Sequence, residues 1–265
     1  MKEILIPALA MGAVGLVLGA LLALASKIFA VEKDERAEQI TEVLPGANCG
    51  SCGFAGCSAY AEAISKGEAK INCCSPGGQS ASDAIADIMG FQKATVVEKC
   101  AMVFCNGTVE NAAEKYEYEG LQDCIAASRL QGNGKKACSY ACLGYGTCVN
   151  ACKNGAIKIE NGIAVIDYDK CGGCEECVAA CPKGVIKIIS KGSKYIVKCH
   201  SCDKGAAMKG KCTAGCIGCR ICEKNCPVGA ITVENNCAII NQDLCTGCGI
   251  CAEKCPKKII KAVNE

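Results

Sequence analysis

Residues 245–256 read CTGCGICAEKCP, with cysteines at 245, 248, 251 and 255 and a proline directly after the last. The same C-x2-C-x2-C-x3-C-P spacing returns at 216–227 (CIGCRICEKNCP) and at 171–182 (CGGCEECVAACP). In this spacing the first three thiolates wrap one cubane [4Fe–4S] cluster and the fourth ligates the neighbouring cluster, so the runs work in pairs. Cys216, Cys219 and Cys222 therefore close with Cys255, and Cys245, Cys248 and Cys251 close with Cys226.

The run at 171 needs a mate upstream, and the candidate is CSYACLGYGTCVNAC at 138–152, whose spacing is irregular. A shift of 74 residues resolves it: Cys142, Cys148 and Cys152 fall on Cys216, Cys222 and Cys226, and Cys171, Cys174, Cys177 and Cys181 fall on Cys245, Cys248, Cys251 and Cys255. Residues 137–192 and 212–265 are thus two copies of one two-cluster, ferredoxin-like unit, with 193–211 read as a linker. The first copy has Tyr145 where the second has Cys219, and Cys138, four residues before Cys142, is expected to supply the missing thiolate. The expected sets are Cys138, Cys142, Cys148 and Cys181, with Cys152, Cys171, Cys174 and Cys177 beside them. Lys153 replaces the usual proline after Cys152. Between the cysteines, AIKIENGIAVID and AITVENNCAIIN alternate apolar and polar residues about an Asn-Gly or Asn-Asn step, which predicts a hairpin in each unit.

Further upstream, CGSCGFAGC places Cys49, Cys52 and Cys57 in one glycine-rich turn, followed by a predicted short helix in SAYAEAISKGEA. Glycines let the backbone close around a cluster and aim amides at its sulfur atoms. Spacing alone leaves Cys73 and Cys74 equal as the fourth ligand, and a structural zinc site is the competing use of such a module. This domain is assigned to 31–90, and 91–136 is read as a connecting segment.

Cysteine supplies 28 of the 265 residues, while Trp is absent and only four Phe and seven Tyr are present. Metal staples must replace much of the aromatic core. The formal charge of +2 gives no nucleic-acid signature, and a single histidine, His200, excludes Cys2His2 fingers. Residues 4–25, ILIPALAMGAVGLVLGALLALA, carry no charge and at helical rise span about 30 Å, the thickness of a bilayer's hydrocarbon core. A transmembrane anchor over 1–30 is expected rather than a cleaved signal peptide, whose apolar region is shorter. Lys27, Lys33 and Arg36 follow the span against Lys2 before it, which places the bulk of the chain on the cytoplasmic side of the inner membrane, where thiols stay reduced. Gly15 and Gly19 have the spacing that lets a second membrane helix approach.

Twenty ligands for five clusters leave Cys73, Cys100, Cys105, Cys124, Cys199, Cys202, Cys212 and Cys237. Buried free cysteine ordinarily packs as a small hydrophobe. A sixth cluster drawing on Cys105, Cys124, Cys199 and Cys212 is left open. His200 reads as a surface or supporting residue.

The anchor, the Asn48–Gly78 run ending in CSPGG, and the tandem units together resemble the RnfB subunit of the ion-translocating ferredoxin:NAD oxidoreductase, the Rnf complex. That resemblance selects Cys74 over Cys73. It implies reduced ferredoxin as electron donor, and membrane and flavin-carrying partner subunits that end at NAD, for a chain whose residues already predict an α+β fold and five [4Fe–4S] clusters. Residues 79–136 and the second unit exceed shorter members of that family. LGYGTCV lies among ligands and opens no dinucleotide-binding unit, so no nucleotide site is expected here. The alternative is a polyferredoxin-like relay of a membrane hydrogenase or carbon-monoxide enzyme. Five clusters predict roughly twenty irons in a brown, anaerobically prepared chain, and iron analysis should find the same content after deletion of residues 1–30 releases it from the membrane.

Overall fold

The computed structural model describes residues 12, 15–22, 24, 34–130 and 132–263. The span expected over 4–25 lies largely outside them; its described residues are helical and exposed, and among the described residues no helix is long and apolar enough to cross a membrane.

The first module is helical. Helix α1 (Glu35–Val43) starts at Asp34, whose carboxylate accepts the Arg36 N–H at 3.0 Å. Helix α2 (Cys57–Ser65) starts at Gly56, where a side chain would strike the Asn48 amide that accepts the Cys57 N–H. Helix α3 (Gly78–Met89) ends on left-handed Gly90. The three bury Ile40, Leu44, Tyr60, Ile64, Ile71 and Ile85 together with Cys74.

The rest of the chain is built twice. Strand β1 (Lys99–Val103) and short helix α4 (Cys124–Ser128) precede the first unit, which runs α5 (Thr147–Ala151), β2 (Ile157–Glu160), β3 (Ile163–Ile166), α6 (Glu176–Ala180) and β4 (Ile186–Ser190). Strand β5 (Tyr195–Val197) and α7 (Gly205–Met208) precede the second, which runs α8 (Ile221–Lys224), β6 (Ile231–Glu234), β7 (Cys237–Ile240), α9 (Ile250–Lys254) and β8 (Ile260–Ala262). The expected hairpins are present, β2 with β3 and β6 with β7, turning through Asn161-Gly162 and Asn235-Asn236 at positive φ. The residue before each helix of the four cysteine runs, Gly146, Glu175, Arg220 and Gly249, takes the same left-handed step. At Glu175 and Arg220 that step costs about 1–2 kcal/mol each, a cost set by the need to wrap the chain around a centre.

A strand within each of the segments read from sequence as a connector (91–136) and a linker (193–211) pairs with the last strand of a unit. β1 pairs antiparallel with β4, Lys99 opposite Ser190, and β5 pairs with β8, Tyr195 opposite Ala262. The pairings extend alike, with Phe104 N–H donating to Val185 O at 2.7 Å and Lys198 N–H to Ile259 O at 2.8 Å. Val185 and Ile259 are 74 residues apart, as the duplication requires, but Cys105 and Cys199, each two residues beyond its strand, are 94 apart. The difference is an insertion between Cys105 and Cys138, and it carries α4. β1 and β5 are short and buried on both faces, so apolar residues run along them without alternation.

One core runs through both units: Val103, Ile157, Ile163, Val185 and Ile186 of the first, and Val197, Ile231, Ile259 and Ile260 of the second, share it with buried cysteines. Close packing makes Gly144 a sensitive position, because it sits at φ +77° and a β-carbon there would overlap the Gly162 carbonyl. Gly155, at φ +60° with open space around it, carries the backbone cost alone. Gly155→Ala should destabilise by about 1–2 kcal/mol, and Gly144→Ala by clearly more, as read from the midpoints of denaturant unfolding.

Candidate iron–sulfur centres

All 28 cysteines are free thiols. Among the described residues, no three or more Cys, His, Asp or Glu side chains are grouped to hold a single metal ion. The thiols instead stand around hollows. Cys216, Cys219, Cys222 and Cys255 line one of about 370 Å³, closed by Ile217, Val233 and Ile260. Cys226, Cys245, Cys248 and Cys251 line another of about 310 Å³. These are the two crosswise sets expected for the second unit, each taking three thiols from one run and one from the other. Four soft sulfur donors with no carboxylate in the lining suit iron–sulfur chemistry.

In the first unit, Cys177 is pushed up to about 12 by burial, with Cys171, Cys174 and Cys152 adding to the shift. That is the expected set. Its mate departs from expectation. Burial pushes Cys148 to about 12, and the neighbouring thiols that add to it are Cys142, Cys124, Cys181 and Cys177. Cys138 is absent from that group and faces Cys105 and Cys199 instead. The structure thus places Cys124 beside Cys148, and Cys138 toward Cys105 and Cys199. The insertion is pinned there by a short hydrogen-bond chain: Cys124 N–H donates to Thr147 Oγ1 at 2.8 Å, Thr147 Oγ1 donates to Asp123 Oδ2 at 2.8 Å, and Asp123 Oδ1 caps α4 through Ala126 N–H. Cys124 packs with Leu143 and Tyr145. A weak signal lay in the sequence: Val-Phe-Cys at 103–105 matches Val-Lys-Cys at 197–199, which pairs Cys105 with Cys199 and frees Cys124 for another use.

In the first module Cys74 is raised by burial, with Cys57, Cys52 and Cys49 contributing. Cys73 has its N–H bonded to the Tyr60 hydroxyl at 3.0 Å and packs at the edge of that core. Cys49 in turn acts on Cys174 of the first unit, and Gly172 and Gly173 lie against Pro76 and Ser75, so the two cysteine sets adjoin.

Backbone amides face the sulfur atoms throughout. Ala156 N–H meets Cys152 Sγ at 3.4 Å and its counterpart Ala230 N–H meets Cys226 Sγ at 3.3 Å. Ala101 N–H meets Cys171 Sγ at 3.3 Å, and Ala164 N–H meets Cys142 Sγ at 3.4 Å. Such bonds favour the anionic ligand and help set a cluster's potential. One cation is built in. Lys136 is 2% exposed, and its ammonium donates to Gly107 O at 2.6 Å and Gly162 O at 2.8 Å. Burial lowers its pKa while Cys105 and Cys142 beside it act the other way. His200 bonds through Nδ1 to Phe104 O at 3.1 Å and sits edge-on to Tyr140, a supporting position. Lys136→Met should leave two carbonyls bare and cost about 1–3 kcal/mol for each. Lys135→Met, which breaks only the partly exposed 2.7 Å pair with Glu114, should cost under about 1 kcal/mol; chemical denaturation of both variants checks the contrast.

Known proteins match this arrangement. Residues 44–76 match a family model described as a putative Fe–S cluster, and 137–185 and 215–260 each match a 4Fe-4S dicluster domain. The chain is 45% identical over 246 residues to the component designated B in the Na(+)-translocating ferredoxin:NAD(+) oxidoreductase complex of Acetobacterium woodii, covering 92% of this chain and 74% of the relative. It is 41% identical to the component designated B in the ion-translocating oxidoreductase complex of Methanosarcina acetivorans, over 92% of this chain and 93% of the relative. It is 43% identical to the corresponding component of the proton-translocating ferredoxin:NAD(+) oxidoreductase complex of Clostridium ljungdahlii, over 92% and 87%.

Proposed function

Because this chain belongs to the RnfB family, the components designated B in the ion-translocating oxidoreductase (Rnf) complexes, we propose that it takes electrons from reduced ferredoxin and relays them to membrane and flavin-carrying partner subunits for NAD reduction coupled to ion transport. It is an iron–sulfur electron-transfer subunit of a multi-subunit oxidoreductase. The membrane anchor over 1–30, the translocase role and the orientation with the bulk in the cytoplasm belong to the same proposal. The names of the relatives differ in the ion they give, sodium in one and protons in another.

The ligand sets we assign are Cys49, Cys52, Cys57 and Cys74; Cys152, Cys171, Cys174 and Cys177; Cys124, Cys142, Cys148 and Cys181; Cys216, Cys219, Cys222 and Cys255; and Cys226, Cys245, Cys248 and Cys251. Each would hold a [4Fe–4S] cluster, which supplies a one-electron couple. The observation that carries the reading is the crosswise sharing of thiols around the hollows of the second unit, which brings neighbouring centres side by side. The chain's own groups do the tuning: amides donate to sulfur, apolar side chains exclude water, and the Lys136 ammonium opposes the negative charge of the thiolates on either side. The adjoining sets at Cys49 and Cys174 extend the line to the first module, the end next to the anchor.

The test is an anaerobic titration of the purified chain with reduced ferredoxin. Its visible absorbance should bleach stepwise, while NADH alone should leave it unchanged. A chain that stays coloured under excess reduced ferredoxin, or copurifies with a nickel enzyme in place of flavin and NAD-binding subunits, overturns the proposal.

A further inference from the structure

Four cysteines outside the assigned sets meet between the two units. Cys105 and Cys138 come from the first, Cys199 and Cys212 from the second, and all four line one hollow of about 290 Å³ with Tyr140 and Met208. It is comparable in size to the two hollows that the ferredoxin-type runs form, and those too are lined by four cysteines each.

The four thiols are related in pairs. Cys138 and Cys212 are 74 residues apart and correspond under the duplication. Cys105 and Cys199 correspond through the strands β1 and β5 that precede them. The polar contacts agree: Cys142 N–H meets Cys105 Sγ at 3.4 Å, and its counterpart Cys216 N–H meets Cys199 Sγ at 3.4 Å. Each of the four sulfurs also faces the backbone N–H two residues further on, at Gly107, Tyr140, Ser201 and Ala214. Cys174 and Cys216, members of the assigned sets, take the same contact from Glu176 and Gly218. An isolated bridge between Ala112 and Cys212 ties the first unit's insertion to the second unit at this point. Ordinary core cysteines have no need of such a ring of amides.

We propose that Cys105, Cys138, Cys199 and Cys212 hold a further [4Fe–4S] cluster at the junction of the two units, with two ligands from each. The site takes iron and sulfide rather than a single zinc ion, because its thiols stand around a hollow instead of converging on one point. It rests on the reading of the chain as an iron–sulfur carrier, and it gives the two units a shared centre. Cys142 lies against Cys105 and Cys216 against Cys199, so the junction adjoins one assigned set on each side.

The decisive experiment counts iron, sulfide and zinc in the full chain, loaded to saturation without oxygen, and follows each cluster by paramagnetic resonance. The wild-type chain should hold roughly twenty-four irons. Cys138→Ala and Cys212→Ala should each remove or convert the same single signal, and the double variant should lose no more than either alone. Cys124→Ala should remove a different one, and its loss should add to that of Cys212→Ala. Cys100→Ala, a fully buried thiol on β1 outside the sets, controls for packing and should lose none. Twenty irons with no change in Cys212→Ala, additive losses in the Cys138/Cys212 double variant, or one zinc that departs with Cys212 would each overturn the proposal. In all three cases the remaining clusters would still bleach with reduced ferredoxin, so the electron-transfer reading fails separately.

Discussion

Thiolates repel one another, and a fold that gathers four of them around one hollow is stable only if something positive fills it. Burial and mutual repulsion push Cys148 and Cys177 to about 12 and Cys222 to about 11, far from the ionised form a metal requires. Iron repays that cost, since ligand ionisation and metal capture occur together and their free energy becomes folding free energy. Everything else follows from this constraint. The strands are three to five residues long, few aromatic rings are buried, and the helices of the units last little more than a turn. Such elements are too short to hold a domain by apolar burial alone.

The same constraint explains which parts were legible in the sequence. Ligand spacing within a run is local, so Cys171–Cys181 and Cys216–Cys255 could be read directly, and the hairpins between them followed from their alternation and turn residues. The 74-residue shift exposed the duplication. It could not expose Cys124, because the insertion that carries it has no counterpart in the second unit and reaches Cys148 only through tertiary contacts at Thr147. Cys138 is the nearer thiol along the chain, but in the fold it stands toward Cys105 and Cys199. β1 and β5 were missed for a related reason: each is a short strand whose partner lies some sixty to ninety residues away, beyond the reach of any local pattern.

The duplication also shows how an unpaired surface was put to use. A single unit of this kind leaves the outer edge of its last strand bare, a row of amides open to unwanted pairing. Here β1 covers β4 and β5 covers β8, and each covering strand delivers a cysteine two residues beyond its end. Each edge is thus covered, and each of these two cysteines placed, by one continuous segment. Lys136 adds a fixed charge at the point where the first unit's insertion, its hairpin turn at Gly162 and the Gly107 loop converge.

The order of these segments along the chain has a consequence for biogenesis. The four thiols assigned to the first module lie within residues 49–74, so they can come together while most of the protein is still to be synthesised. β1 must wait for residues 186–190 before its edge is covered. A nascent chain released near residue 192 would therefore own a finished first module and a nearly finished first unit, yet still present Cys105 and Cys138 beside an apolar face meant for the second unit. Exposed thiols of that kind oxidise, and exposed faces of that kind aggregate. Translation speed over residues 193–212 thus governs how long the half-made protein is vulnerable, and the maturation machinery meets its sites in the order in which the ribosome delivers them.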